Sequence, residues 1–308
     1  MNLKGKDFLS LKDYTKEEIK YLIELGIKLK ADQKKGELEQ ILKGKTLAMI
    51  FQKSSTRTRV SFEVAMYQLG GLGLFLSTQD LQIGRGEPIA DTARVLASYT
   101  DGILIRTYGQ EEVEELAKYS KVPVINGLTD LYHPTQALAD LMTIYEHKGT
   151  LAGLKLAYIG DGNNMVHSLM IGGAKMGMEV RVATPRGYEP KEEIINLSTE
   201  LAHKHNGKII LTNDVYEAAE NADILYTDVW ASMGQEEEIE ERKKHFQGFQ
   251  INAKMLELAH KEAIVMHCLP AHRGEEITHE VMEGPQSVIF EEAENRLHAH
   301  RAILAAII

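Results

Sequence analysis

Several short runs in this chain join side chains that bind anions or move protons. In Ser54-Ser55-Thr56-Arg57-Thr58-Arg59, hydroxyls and guanidinium groups follow an apolar run at 46–51 and precede a helical pattern through Phe62, Val64, Ala65 and Leu69. That order sets them at a helix N-terminus, where backbone N–H groups and the macrodipole favour an anion and arginine grips phosphate oxygens in pairs. No Gly-x4-Gly-Lys precedes the run, so it is not a P-loop. A capped helix with a solvated arginine pair is the plainer alternative. Arg106, in Ile105-Arg106-Thr107, ends a second apolar run and offers another guanidinium where α/β proteins bind ligands. Tyr132-His133-Pro134-Thr135-Gln136 brings an imidazole and an amide that can polarise a carbonyl oxygen, or merely cap the helix that follows.

Three more runs lie further on. Ile159-Gly160-Asp161-Gly162-Asn163-Asn164 invites a dinucleotide reading. It fails the fingerprint, because Met165 stands where the third small residue belongs and the next strand leads into Thr184-Pro185-Arg186 with no ribose-binding acid. The asparagine pair can instead hold a carboxylate. Asp228-Val229-Trp230-Ala231-Ser232-Met233-Gly234 and His267-Cys268-Leu269-Pro270 also follow strand-like runs. A lone cysteine is ordinarily buried packing until it has a chemical partner. His298 and His300, two apart on a helical pattern, face different ways and make no metal pair.

The elements that must position these residues alternate. Thr15-Lys16-Glu17-Glu18 has capping-box spacing, and Ile19, Leu22, Ile23 and Ile27 continue a helix from about Thr15 past Leu29. Strands are expected at 46–51, 72–76, 102–105 and 122–125, with helices between them and a further helix from Pro134 to about His147. A second series follows at 154–159, 179–183, 208–211, 223–226 and 263–267. Such alternation predicts two doubly wound parallel-sheet α/β domains with right-handed crossovers, residues 1–148 and 149–290, and a last helix at 291–308 packing back on the body. Length agrees, since 308 residues are about twice the prior for one domain.

Composition narrows the function. With 44% hydrophobic and 26% charged residues the chain is an ordinary globular protein. A net charge of -10 argues against general nucleic-acid binding, so positive charge for an anionic ligand must be concentrated locally. One cysteine makes no intrachain disulfide and no Cys-rich zinc site, which suits a reducing compartment. The first residues lack the apolar stretch of a signal peptide and no apolar run is long enough to span a membrane, so a cytoplasmic protein without membrane partners is expected.

Taken together, Ser55-Thr56-Arg57-Thr58, His133-Pro134-Thr135-Gln136 and His267-Cys268-Leu269-Pro270, in this order and spacing, resemble the aspartate/ornithine carbamoyltransferase family over essentially the whole chain. Asp228 and Ser232-Met233-Gly234 are similar to its ornithine branch. The resemblance implies that the first domain, with the C-terminal helix, binds carbamoyl phosphate and the second binds L-ornithine, and that the δ-amine takes the carbamoyl group to give citrulline and phosphate. Ser55, Thr56, Arg57, Thr58 and Arg106 would hold the phosphate, and His133 and Gln136 would address the carbamoyl group. The main-chain carbonyls of Cys268 and Leu269 would accept from its NH2, with Arg296 completing that set. Asn164, Asp228, Ser232 and Met233 would bind ornithine.

The same resemblance implies trimers in which a loop reaches into the neighbouring site. The matching loop here is Gln79-Asp80-Leu81-Gln82-Ile83-Gly84, with Gln82 where some members carry His. After Pro270 this chain reads Ala271-His272-Arg273-Gly274, where some relatives have Arg directly, so Arg273 has no assigned role. Carbamoyl phosphate is an activated acyl donor, and direct amine attack requires no metal or organic cofactor. Arg106, His133, Asp228 and Cys268 are the expected catalytic residues, with either Asp228 or Cys268 receiving the amine proton. A putrescine carbamoyltransferase, an aspartate enzyme and a catalytically silent binding protein are the alternatives.

Overall fold

The computed structural model describes residues 1–308 apart from Met233 and Gln235. The chain divides into two compact units, residues 1–142 with 294–308, and residues 143–293.

The first unit opens with α1 (Lys16–Lys34), started by a complete capping box: Glu18 N–H donates to Thr15 Oγ1 at 3.2 Å, and Thr15 N–H donates to the Glu18 carboxylate at 2.8 Å. There follow β1 (Thr46–Phe51), α2 (Thr56–Gln68), β2 (Leu72–Ser77), α3 (Ile89–Tyr99), β3 (Gly102–Arg106), α4 (Gln110–Tyr119), β4 (Val124–Leu128) and α5 (Pro134–Lys148). The four strands form one parallel sheet in the order β2-β1-β3-β4. Its core packs Ala48, Ile50, Ile103, Ile105 and Val124 against Ala93, Val113 and Leu116. Because β2 and β3 flank β1 on opposite sides, a crevice opens beyond the carboxyl ends of β1 and β3, where open α/β sheets bind ligands. The fourth strand begins and ends later than the apolar run suggested. Pro123 has no N–H for the ladder, and the strand continues through Asn126, whose buried amide donates to the Leu9 carbonyl at 3.0 Å and to Gln110 Oε1 at 3.2 Å.

The second unit contains β5 (Lys155–Ile159), α6 (Asn164–Met176), β6 (Glu179–Ala183), α7 (Glu192–His205), β7 (Lys208–Thr212), α8 (Val215–Ala219), β8 (Ile224–Thr227), α9 (Ile239–His245), α10 (Ala253–Leu258), β9 (Ile264–His267) and α11 (His279–Met282). Its five strands are parallel in the order β7-β6-β5-β8-β9. The switch point lies between β5 and β8, so the loops after Ile159, Thr227 and His267 emerge side by side. The last helix, α12 (Ile289–Ile307), contributes residues 294–308 to the first unit, where Ala302, Ile303 and Leu304 are buried. Among the described residues no helix is long and apolar enough to cross a membrane.

Candidate active site

In the first unit the anion-binding chemistry collects at the crevice. Ser55 caps α2, its hydroxyl accepting from Thr58 N–H at 3.1 Å, so the first turn of the helix presents its remaining N–H groups outward. Arg106 is the last residue of β3 and lies in register with Phe51, the end of β1. Arg296 comes from α12, 238 residues beyond Thr58, and donates to Thr58 Oγ1 at 3.0 Å and to Gln136 Oε1. Gln136 in turn donates to Asp140 at 2.8 Å, which fixes the orientation of its amide.

Arg106, His133, Gln136, Thr58 and Arg296 are all buried, and the strongest charges acting on the cluster have one sign. Burial, followed by repulsion from Arg296 and Arg57, pulls Arg106 down to about 9. Burial holds the His133 imidazole well below its ordinary value, with Arg296, Arg106, His300 and Arg57 adding to the effect, so the ring is neutral at pH 7. Among the described residues Arg106 Nε and Thr135 Oγ1 are buried with no hydrogen-bond partner. Converging guanidinium groups and an unused buried N–H are the electrostatic complement of a dianion. Ser55, Thr56 and Arg57 stand on the same turn, whereas Gln82 opens a 3-10 turn, Gln82–Arg85, with its side chain exposed and outside this cluster.

The second unit gathers a thiol, a carboxylate and an amide. Cys268 Sγ donates to Asp228 Oδ1 at 3.0 Å. Val229 N–H donates to the same oxygen at 2.8 Å, and Asn163 Nδ2 donates to Asp228 Oδ2 at 2.8 Å. Asn163 thus orients the carboxylate, and it also caps α6 by accepting from Met165 N–H at 2.9 Å. Asn164 is the first residue of that helix and, like Ser232, is half-buried; Met233 lies outside the described residues. Gly162 is demanded by packing, because a Cβ there would come within 2.3 Å of the Glu189 backbone. The glycine that invited a nucleotide reading serves this close approach.

The turn that carries Cys268 and Leu269 is set from behind. His267 is fully buried; its Nδ1 accepts from Leu269 N–H at 2.9 Å and its Nε2 meets Glu276 Oε1 at 3.0 Å. Glu292 accepts from His267 N–H at 2.9 Å and from the Tyr226 hydroxyl at 3.2 Å. Leu269 itself has a φ of 57°, a left-handed conformation that only such surroundings hold for a side-chain-bearing residue. The Asp228 carboxylate, a His267 ring nitrogen and the Cys268 thiol lie within 4.8 Å of one another, a spacing that can hold a metal ion. Ligation by His267 would cost it one of two existing hydrogen bonds. Arg273 pairs with exposed Glu283 at 2.6 Å, which gives it a surface role.

Sequence reading offered the Asn163-Asn164 pair for a carboxylate and His267 within a strand-end motif without giving either its partner, and it missed the acids Glu276 and Glu292 altogether. The capping position of Asn163 before α6 was a local signal; the acids and their partners are separated by 9 to 66 residues.

Known proteins agree with both halves. The family model for the aspartate/ornithine carbamoyltransferase carbamoyl-P binding domain matches residues 6–146, and that for the Asp/Orn binding domain matches residues 152–307. Ornithine carbamoyltransferase from Oceanobacillus iheyensis is 61% identical over 99% of this chain and 95% of its own length. The solved structure of ornithine carbamoyltransferase from Pyrococcus furiosus has a TM-score of 0.97 at 56% identity, covering 100% of this chain and 98% of that one. The Gloeobacter violaceus enzyme of the same name gives 0.89 at 50% identity, covering 100% and 99%.

Proposed function

The chain belongs to the aspartate/ornithine carbamoyltransferase family, and from that premise we propose that it transfers the carbamoyl group of carbamoyl phosphate to the δ-amine of L-ornithine, giving L-citrulline and phosphate. The observation that carries this reading is the crowding of Arg57, Arg106 and Arg296 around neutral His133, with Arg57, Arg106 and His133 all inside the stretch matched by the carbamoyl-P binding domain. Three cations held together at a cost are what a bound phosphate dianion repays.

The phosphate is held by Ser55, Thr56, Arg57, Thr58 and Arg106, and the carbamoyl oxygen by Arg106, Thr58 and His133. A neutral imidazole donates a hydrogen bond to that oxygen as negative charge develops, without competing for the phosphate. Each such donor is worth about 3–4 kcal/mol in comparable sites, and orienting two substrates contributes roughly 7–11 kcal/mol. Gln136, Arg296 and the Cys268 and Leu269 carbonyls complete the carbamoyl contacts. The amine attacks the carbonyl carbon directly, the C–O bond to phosphate breaks, and phosphate leaves with that electron pair. Ornithine's ammonium must first lose a proton, and the linked Asp228 and Cys268 are the groups in the second unit suited to orient it and accept that proton. Asn164, Ser232 and Met233 bind its amino-acid end.

Homotrimers with shared sites, in the cytoplasm and in arginine metabolism, complete the reading. Strand β2 is an edge strand on which Leu72 and Leu74 are exposed on one face, an apolar pair suited to a second copy, and exposed Gln82 follows it closely in the chain.

The test is citrulline formation from carbamoyl phosphate with ornithine, putrescine and aspartate as competing acceptors. A site with polar groups for an α-amino acid end leaves them unpaired with putrescine, so kcat/KM should favour ornithine by about 10⁴-fold. A ratio near one, or one favouring putrescine, refutes ornithine as the acceptor.

A further inference from the structure

His300 lies on α12 and has no role in the reaction set out above, and its side chain is completely buried. Two hydrogen bonds decide which of its nitrogens carries the proton. Arg296 donates through Nε to His300 Nε2 at 3.3 Å, and a guanidinium N–H can only donate. On the other side Nδ1 meets Ser61 Oγ at 2.9 Å. The single proton of that hydroxyl is directed at the Arg57 carbonyl, 2.6 Å away, with the Thr58 carbonyl at 3.2 Å. Both ends therefore require the same tautomer, with Nε2 bare and Nδ1 protonated. Phe62 stacks on the ring with 3.9 Å between centroids and 17° between planes, which keeps the imidazole from turning over.

We propose that His300, locked as the Nδ1–H tautomer, is a positioning residue for the phosphate: it joins the Arg296 guanidinium through Ser61 to the Arg57 carbonyl and so sets the phosphate-binding turn at Arg57 relative to Arg296, which contacts the carbamoyl group. The chain of donors runs one way, from Arg296 Nε–H to His300, from His300 Nδ1–H to Ser61, and from the Ser61 hydroxyl to Arg57. Arg296 is also tied to the same helix turn at Thr58 Oγ1, so the α2 N-terminus is held to α12 at two points. Burial, reinforced by Arg296, keeps the imidazole neutral, as acceptance from Arg296 requires. This inference rests on reading the 55–58 turn as the phosphate site.

Inorganic phosphate, titrated calorimetrically into the purified full-length protein, is the probe. His300→Leu should weaken phosphate binding about tenfold, and Ser61→Ala, which cuts the link at its far end, about threefold. His300→Gln, whose amide keeps one acceptor and one donor, should recover most of the loss. In turnover, the KM for carbamoyl phosphate should rise in the Leu and Ala variants while the KM for ornithine stays put, a split that general loosening of the fold would not give. The ¹⁵N resonances of wild-type His300 should show a bare Nε2, a readout that survives even where the Leu variant does not fold. A protonated Nε2, or wild-type phosphate affinity in both His300→Leu and Ser61→Ala, overturns the proposal. Phosphate binding that follows this pattern in a protein making no citrulline would sink the proposed reaction and leave His300 in place.

Discussion

At the scale of single residues, the first unit is built around charge that destabilises the empty site. Arg57 and Arg296 both act on Arg106, so removing Arg57 relieves repulsion while stripping a bidentate partner from the bound dianion. Arg57→Ala should cost phosphate or carbamoyl phosphate binding roughly 2–5 kcal/mol, with melting temperature unchanged or raised. Calorimetric titration beside circular dichroism checks it, and near-normal phosphate affinity in a folded variant would remove Arg57 from the site. Asn163 in the second unit does two things that can be separated, since it caps α6 and holds Asp228. Asn163→Ala should lose both, costing about 1 kcal/mol of stability for the cap. Asn163→Ser keeps a capping oxygen but is too short for Asp228, so stability should return while ornithine-dependent kcat/KM stays low. Recovery of both together would mean that the Asp228 contact is idle. The sequence offered Asn163 and Asn164 as a pair for a carboxylate but not Asp228 as the partner of Asn163, because that contact joins the start of α6 to the residue after β8 across 65 positions.

Among the elements, α12 concentrates the pH sensitivity. Burial, with Lys30 and Arg301 nearby, moves His298 from 6.5 to about 4, against a weaker pull from Glu294. The unfolded chain then binds a proton in a window where the folded one does not. The contribution of the neutral ring is therefore complete above about pH 6.5 and is lost as pH falls toward 4, at a cost of about 3 kcal/mol. His300 and His133 shift in the same direction for the same first cause, burial, so the first unit should be acid-labile. Urea unfolding of wild type and His298→Leu at pH 7 and pH 4.5 measures this: the variant should lose less stability on acidification. Equal losses would assign the acid sensitivity elsewhere. The helix was legible as a helix from its apolar spacing, but its two histidines were read only as facing apart. One packs toward Lys30 and Arg301, the other against Phe62 and Ser61, and only packing could say so.

For the whole molecule, the proposed shared sites are tested through assembly. In the proposed trimer β2 is an interface, so Leu74→Asp on that exposed edge strand should leave 34.5 kDa monomers in sedimentation and abolish most activity. Mixing an Arg57→Ala chain with a chain lacking the Gln82 loop should restore part of the activity, because some hybrid sites contain both intact contributions. A fully active monomer, or inert hybrids, would dismiss shared sites.

The amino-acid sequence by itself determined the two series of parallel strands, the helix starts and the clustering of hydroxyls, arginines and histidine at strand ends. Those features depend on local spacing, capping and the alternation of apolar runs, all of which are written along the chain. It also excluded a nucleotide fingerprint at Gly162 without revealing why the glycine is there. Tertiary structure decided the rest: Arg296 meets Thr58 across 238 residues, Asn163 meets Asp228 across 65, and Ser61 meets His300 across 239. Periodicity says which face of a helix is buried, but the partner it is buried against is chosen by the order of strands in the sheets and by close packing, which act between positions that no local pattern connects.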